Sequence, residues 1–326
     1  MAKKIQLAVV GLGGITRTFI NACRSALADE VSIIGAYSSS FERAKLFSEE
    51  FNFPYYGLYE DVLTNKQIDA VYVGNNSADH YKTAKLYLSH KIPVLLEKPL
   101  TLKYEEAVDL VRIAQENQVL FMEAMKFTFY DGFNDLLKRL ENQQYGPIKY
   151  LDSLFYTNKS GNRETRHWKK ELGGGSLYDL GCYQLAYYVK LYQEPDNIVV
   201  NSFEVINEVE VRIDYTLFKN GVPARLSTSF LGSPTGAHYQ QFNIHTDDYY
   251  INSDNFSQGK SFKVYDHQGR LTYETTPINK PDMAYEIKHF CDLLRTKQIQ
   301  SNINTFSFSL SIIKIIDRIL REIKLL

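Results

Sequence analysis

The sequence predicts an α/β protein: a doubly wound parallel sheet in the N-terminal part, then an α+β domain with a large open, mostly antiparallel sheet. From residue 5 to about 122, near-continuous apolar runs alternate with amphipathic helical stretches, and a glycine-rich turn interrupts the first pair. Beyond residue 123 the apolar pattern changes to period two. Apolar runs of the first kind belong to parallel strands covered on both faces by helices. Alternation marks strands with one wet face.

The elements follow in order. IQLAVV, VSIIGAYS, AVYVGN, PVLLEK and VLFMEA read as strands, and ITRTFINACRSAL, SFERAKLFSEEF, HYKTAKLYLSH and YEEAVDLVRIAQEN as the helices between them. A further helix over roughly 131–142 ends near Gly146 and Pro147. KYLDSLFYT, VEVRIDYTLF, VPARLSTSF, QQFNIHTDDYYIN and SFKVYDHQGRLTYET then supply the second sheet, with Val209, Val211, Ile213, Tyr215 and Leu217 facing inward and Asn220-Gly221 as a hairpin turn. The terminal FSFSLSIIKIIDRILREIKLL is a helix apolar enough to pack back on the first domain. The expected domains are therefore 1–122 and 123–326.

Composition narrows the function. Thirty-seven basic against thirty-eight acidic residues give a net charge of -1 with no basic cluster, which argues against nucleic-acid and membrane-surface partners and for a small-molecule substrate. No eighteen apolar residues run together, so no membrane span is expected. The N-terminal stretch reads as a first strand rather than a leader. Cys23, Cys182 and Cys291, odd in number and scattered, suit reduced thiols in a cytoplasm. His238 and His245 lie seven apart without partners at ligand spacing, so no metal is expected.

Three stretches carry chemistry. Gly11-Leu12-Gly13-Gly14-Ile15-Thr16 follows the first strand and opens the first helix, where missing β-carbons and a helix N-terminus admit a dinucleotide pyrophosphate. Thr16 stands where a third Gly or Ala is usual, a bulk expected to loosen the helix-to-strand contact. The second strand ends in AYSSSFERA without an acid. Ser38 and Ser39 with Arg43 or Arg17 favour a 2′-phosphate, hence NADP, with NAD as the alternative; a serine turn that merely caps the next helix suits either. Glu97 and Lys98 sit at the carboxyl end of PVLLEK, the edge where ligands of such sheets bind, and Pro99 restricts the lysine backbone. In LGGGSLYDLGCYQLAYYVKLY, Asp179 and Tyr183 stand four apart, on one helical face. An ammonium beside the Tyr183 phenol would lower its pKa from about 10 and fit it for proton transfer.

Together these stretches resemble the Gfo/Idh/MocA family (glucose-fructose oxidoreductase, inositol dehydrogenase, MocA), through VVGLGGI, the stretch from AVYVGNNSADHYKTAKLY to LLEKPLTL, FMEAMKF, GGGSLYDLGCY and YEIKHFCDLL. The resemblance implies that Lys98 and Asp179 contact the reacting hydroxyl. Tyr183 replaces the histidine of most members, as in the branch with dimeric dihydrodiol dehydrogenase and NADP-dependent xylose dehydrogenases, where that tyrosine is the proposed acid-base. Asn75-Asn76-Ser77 replaces the family's Thr-Pro-Asn, with His80 retained, and Ser38-Ser39 replaces its Ser-Arg; Asn75, Asn76, Ser77, His80 and Glu97 are expected near the cofactor. The implied function is an NAD(P)-dependent oxidoreductase of a sugar, polyol or diol that forms a homodimer or homotetramer. Trp168 is expected to cover the substrate or to pack as a structural residue. The alternative is a cofactor-binding sensor without chemistry.

Overall fold

In the computed structural model, residues 3–232, 238–258 and 261–325 are described. The chain divides into two compact units, one of residues up to Lys126 with Lys280–Leu310, the other Phe127–Asn279 with the residues from Ser311 onward.

The first unit is a six-stranded parallel sheet in the order β3-β2-β1-β4-β5-β6. Its strands are β1 Ile5–Val10, β2 Val31–Ser38, β3 Tyr55–Leu58, β4 Ala70–Val73, β5 Val94–Glu97 and β6 Phe121–Ala124; the helices are α1 Gly14–Ala26, α2 Phe41–Phe51, α3 His80–Ser89 and α4 Tyr104–Asn117. The apolar runs form its interior: Val9, Val10, Val71, Tyr72, Leu95 and Leu96 are all fully buried. Edge strand β3 has no counterpart in the sequence reading, because YYGL alternates buried and exposed residues over too short a span.

Residues 280–310 belong to this unit, whereas the pattern change near residue 123 suggested that only the last helix would return. The cause is the far edge of the sheet. Phe121 N donates to Ile299 O at 3.0 Å, Asn304 Nδ2 to Glu123 O at 3.4 Å, and the Phe121 ring packs on Phe306. Helix Ala284–Arg295 brings Glu286 into the unit's interior.

The second unit holds α5 Asp131–Glu141, α6 Cys182–Tyr192 and an eight-stranded sheet ordered β14-β13-β12-β11-β7-β10-β9-β8. Its strands are β7 Tyr150–Thr157, β8 Asn197–Ile206, β9 Val209–Lys219, β10 Val222–Ser229, β11 His238–His245, β12 Tyr249–Asp254, β13 Lys263–Asp266 and β14 Leu271–Glu274. Among the described residues of this sheet only the β7–β10 pairing is parallel. Asn220 and Gly221, both at positive φ (50° and 78°), turn β9 into β10 as the dipeptide predicts. Helix α6 lies on the inner face: Gln184 Nε2 donates to Ser153 Oγ and Ser227 O, and the Tyr187 ring stacks on Phe127 at 3.8 Å.

Two details differ from simple alternation. Strand β8 is an edge strand with most side chains exposed, Val199, Phe203 and Val205 among them. Glu210, between inward-facing Val209 and Val211, is itself buried.

Burial raises the carboxyls of Glu123 to about 7 and Glu210 to about 8, and holds Glu286 well above the carboxylate range. In the unfolded chain such groups titrate near about 4.3, so above that value the folded state keeps protons the unfolded state has released. Stability should therefore fall as pH rises toward about 8, by up to about 1.4 kcal/mol per pH unit for each group. Melting temperatures taken between about pH 5 and 8.5 check this, and Glu210→Gln should flatten the decline.

Candidate active site

The glycine loop separates into two kinds of glycine. Gly11 has φ +83°, and a Cβ there would lie 2.4 Å from the main-chain N of Asn75; its glycine is needed to let two loops cross. Gly13 and Gly14 meet nothing within 4 Å, so protein packing does not require their bareness. An open cradle at the N-terminus of α1 fits a pyrophosphate, whose charge the unpaired N–H groups and the helix dipole favour. Ile15 is exposed beside it, while Leu12 turns into the core.

Thr16 is fully buried and its hydroxyl donates to Gly11 O at 2.6 Å. Its bulk does not loosen the contact, because Gly74 stands opposite: a Cβ on Gly74 would come within 3.0 Å of Thr16 Oγ1.

The serine turn caps its own helix. Ser38 Oγ accepts from Ser40 N at 3.3 Å, and Ser40 Oγ accepts from Arg43 N at 3.4 Å. Ser39 and the Arg43 side chain remain exposed. Arg17 is held elsewhere, paired with Glu50 and lying over the Phe47 ring. A cavity of about 600 Å³, lined in part by Ser38, Ser39, Tyr59, Lys82 and Thr83, opens at the end of β2.

Asn75 donates to Thr83 Oγ1 at 2.8 Å, while its Oδ1 is buried without a hydrogen-bond partner, an acceptor that suits a ligand N–H or O–H. Asn76 starts the short turn that contains buried Ser77. His80, expected near the cofactor, is buried, with Nδ1 2.8 Å from Pro99 O and Nε2 3.3 Å from Asn75 O. It ties the loop after β4 to the loop after β5.

That second loop carries Lys98, whose bond to Pro99 is cis. Glu97 is buried; Tyr72 Oη donates to its Oε1 at 2.7 Å and Lys98 N to its Oε2 at 3.2 Å. Desolvation raises its pKa, opposed by Tyr72 and the Lys98 and Lys126 charges. Leu100 N donates to Glu123 Oε1 at 2.9 Å. The turn is thus gripped at Lys98 N, Pro99 O and Leu100 N.

In the second unit the three-glycine run lets the chain pass two obstacles. A Cβ on Gly174 would come within 2.6 Å of His167 O, and one on Gly175, at φ +131°, within 2.4 Å of Glu210 Oε2. The following helix opens with a π turn, Leu177–Gly181, rather than the α turn assumed from the spacing. From Gly175 to Val189, Asp179 and Tyr183 are the only residues that are not buried. Tyr183 packs its ring near Phe127 and Phe155, 6.4 and 6.1 Å between centroids.

Asp179 is bonded to Lys159 Nζ, with Arg166 Nη2 at 3.5 Å and His167 Nε2 at 3.6 Å. Such company keeps a carboxylate ionised and makes it a poor base. Trp168 is buried, its indole N–H donating to Lys159 O at 3.1 Å, so it anchors this basic loop and does not present its face. Lys159, Arg166, Glu123 and Glu210 were missed by the sequence reading; a lone acid inside the apolar run FMEA was a legible signal for Glu123 alone. Among the described residues no three His, Cys, Asp or Glu side chains gather as metal ligands, and no helix is long and apolar enough to cross a membrane.

Two profiles of one family match the chain: the oxidoreductase family with an NAD-binding Rossmann fold over residues 5–125, and the GFO/IDH/MocA C-terminal domain over residues 133–251. The chain belongs to the Gfo/Idh/MocA family. Among Gfo/Idh/MocA relatives, scyllo-inositol 2-dehydrogenase (NADP(+)) IolU of Bacillus subtilis is 28% identical over 320 residues, 96% of this chain and 95% of its own. Trans-1,2-dihydrobenzene-1,2-diol dehydrogenase of Xenopus tropicalis is 26% identical over 60% of this chain and 59% of its own. The fold matches that of the 3-ketoreductase KijD10 from Actinomadura kijaniata, solved with NADP and TDP-benzene, with TM-score 0.80 at 20% identity over 95% of both chains.

The two kinds of glycine should separate on mutation. Gly13→Val should leave the melting temperature nearly unchanged and abolish NADPH binding, read by fluorescence titration. Gly11→Val should cost several kcal/mol of stability, about 3 or more, through backbone collision and a strained φ.

Proposed function

We propose that the protein is an NADP(H)-dependent oxidoreductase that interconverts a hydroxyl and a carbonyl on a sugar, polyol or diol, with Tyr183 as acid-base, assisted by Lys98. One observation carries the reading: within a helix segment otherwise wholly buried, only Asp179 and Tyr183 stay accessible. A segment kept solely for packing would have no reason to leave a carboxylate and a phenol as the two open positions between Gly175 and Val189.

The cofactor cradle is the open pair Gly13 and Gly14, with the Asn75 Oδ1 acceptor close to the crossing at Gly11. NADP is favoured over NAD because β2 ends without a carboxylate to repel a 2′-phosphate and Arg43 stands exposed in the first turn of α2. When bound, the nicotinamide gives or takes the hydride at its C4.

The residues of the chain handle the proton. In oxidation the Tyr183 phenolate accepts the substrate hydroxyl proton, and in reduction the phenol returns it to the forming alkoxide. The Lys98 ammonium stabilises the phenolate and so brings its pKa down toward the working pH. Asp179, ionised by its basic neighbours, accepts a hydrogen bond from a substrate hydroxyl and orients it. Exposed Val199, Phe203 and Val205 on edge strand β8 support self-association into a dimer or tetramer, and three buried cysteines outside any disulfide suit a reducing cytoplasm.

A panel of polyols, sugars and diols, scyllo-inositol included, with NADP and NAD in parallel tests the reading. Lys98→Ala and Tyr183→Phe should each lower kcat by about a hundred-fold or more while NADPH affinity stays within about two-fold, since neither side chain belongs to the glycine cradle of the pyrophosphate. Near-normal turnover in both variants overturns the mechanism.

A further inference from the structure

We propose that Glu123 and Glu210 are positioning residues of the reaction, each a buried carboxyl on one strand that fixes, through a main-chain N–H, the neighbouring segment bearing a proton-handling side chain. Both sit where the sequence pattern gives no reason for an acid. Glu123 lies within apolar β6 and Glu210 between two inward valines at the start of β9, and each is only 2% exposed. Neither belongs to the proton relay described above, and the inference rests on that relay.

The geometry is the same in both units. Glu123 Oε1 accepts from Leu100 N, two residues after Lys98 and directly after the cis-linked Pro99. Glu210 Oε1 accepts from Leu177 N at 2.5 Å, two residues before Asp179 and six before Tyr183, and Ser176 also hydrogen-bonds this carboxyl. Leu177 N opens the π turn and Leu100 N lies in the loop between β5 and α4, so neither finds a partner within a helix or strand of its own. Capping such groups by Ser or Asn nearby in sequence is ordinary; here the acceptor comes from 23 and 33 residues away. A distant acceptor ties the segment to the rigid sheet rather than to its own loop.

Gly175 supports the assignment. Any side chain there would collide with the Glu210 carboxyl, so the bare backbone and the acid form one unit. The groups facing Glu123 are Glu97, Lys98, Glu286 and the Ser309 hydroxyl; Glu210 faces Tyr215 besides its own donors. A shift of about 1 Å in a positioned catalytic group costs about a hundred-fold in rate, so anchors at this distance have leverage over Lys98 and Tyr183.

The test reads the Tyr183 phenol itself and needs no substrate. Phenolate absorbance is titrated in the full chain, and subtraction of the same variant carrying Tyr183→Phe isolates this residue among 24 tyrosines. Lys98→Met is the reference and should raise the midpoint by about one pH unit or more. Glu123→Leu and Glu210→Leu, which keep bulk but remove the acceptor, should move it in the same direction. Glu123→Gln and Glu210→Gln, which keep an acceptor oxygen, should not. Where a leucine variant fails to fold, Glu→Asp, which withdraws the acceptor by one methylene, should produce the shift in smaller measure. In turnover with NADP the leucine variants should lose about ten-fold in kcat with KM little changed. A midpoint that moves in Lys98→Met but in none of the leucine or aspartate variants overturns this inference alone. A midpoint unmoved in Lys98→Met overturns the relay, and the positioning roles with it.

Discussion

Main-chain N–H groups at the starts of helices and in loops cannot be satisfied within their own element, and where they find acceptors organises the turn after β2, the turn after β5 and the opening of the π turn. At the opening of α1 the N–H groups face an open cradle bounded by Gly13 and Gly14, and a phosphate is the acceptor that fits there. At Leu100 and Leu177 the acceptors are carboxyls of the protein itself, drawn from a neighbouring strand and buried with them. The same chemical need is left open at the start of α1 and met by a carboxyl of the protein at Leu100 and Leu177.

The glycines obey a second constraint, close approach of backbones. Gly11, Gly174 and Gly175 are required by a neighbouring main chain or carboxyl within 3 Å of where a Cβ would be, whereas Gly13 and Gly14 border empty space. A glycine demanded by the fold and a glycine demanded by a ligand look identical in sequence. Their surroundings tell them apart, which is why Gly13 and Gly14, rather than the whole run, define the cradle.

Charge is distributed with similar economy. Asp179 is surrounded by Lys159, Arg166 and His167, so it remains an anion suited to accepting hydrogen bonds. Glu97, Glu123, Glu210 and Glu286 lie in apolar surroundings that push their pKa values up. The division leaves an ion-paired carboxylate at Asp179 and carboxyls with raised pKa values in the buried interior. Tyr183 stands between these extremes, half-buried against Phe127 and Phe155.

The doubly wound sheet, the Asn220-Gly221 hairpin, the glycine loop and the membership in the Gfo/Idh/MocA family were legible from residue order, because apolar period, turn chemistry and short motifs are local properties. The short edge strand β3, the exposed edge strand β8 and the return of residues 280–310 to the first sheet were not, since edge pairing leaves no strong apolar period. Local order also could not reveal that Trp168 is buried beneath its own loop, that His80 ties two loops together, or that Arg17 is committed to Glu50. Hydrogen bonds spanning 5 to 33 residues decide those matters, and their partners meet only when the chain has folded.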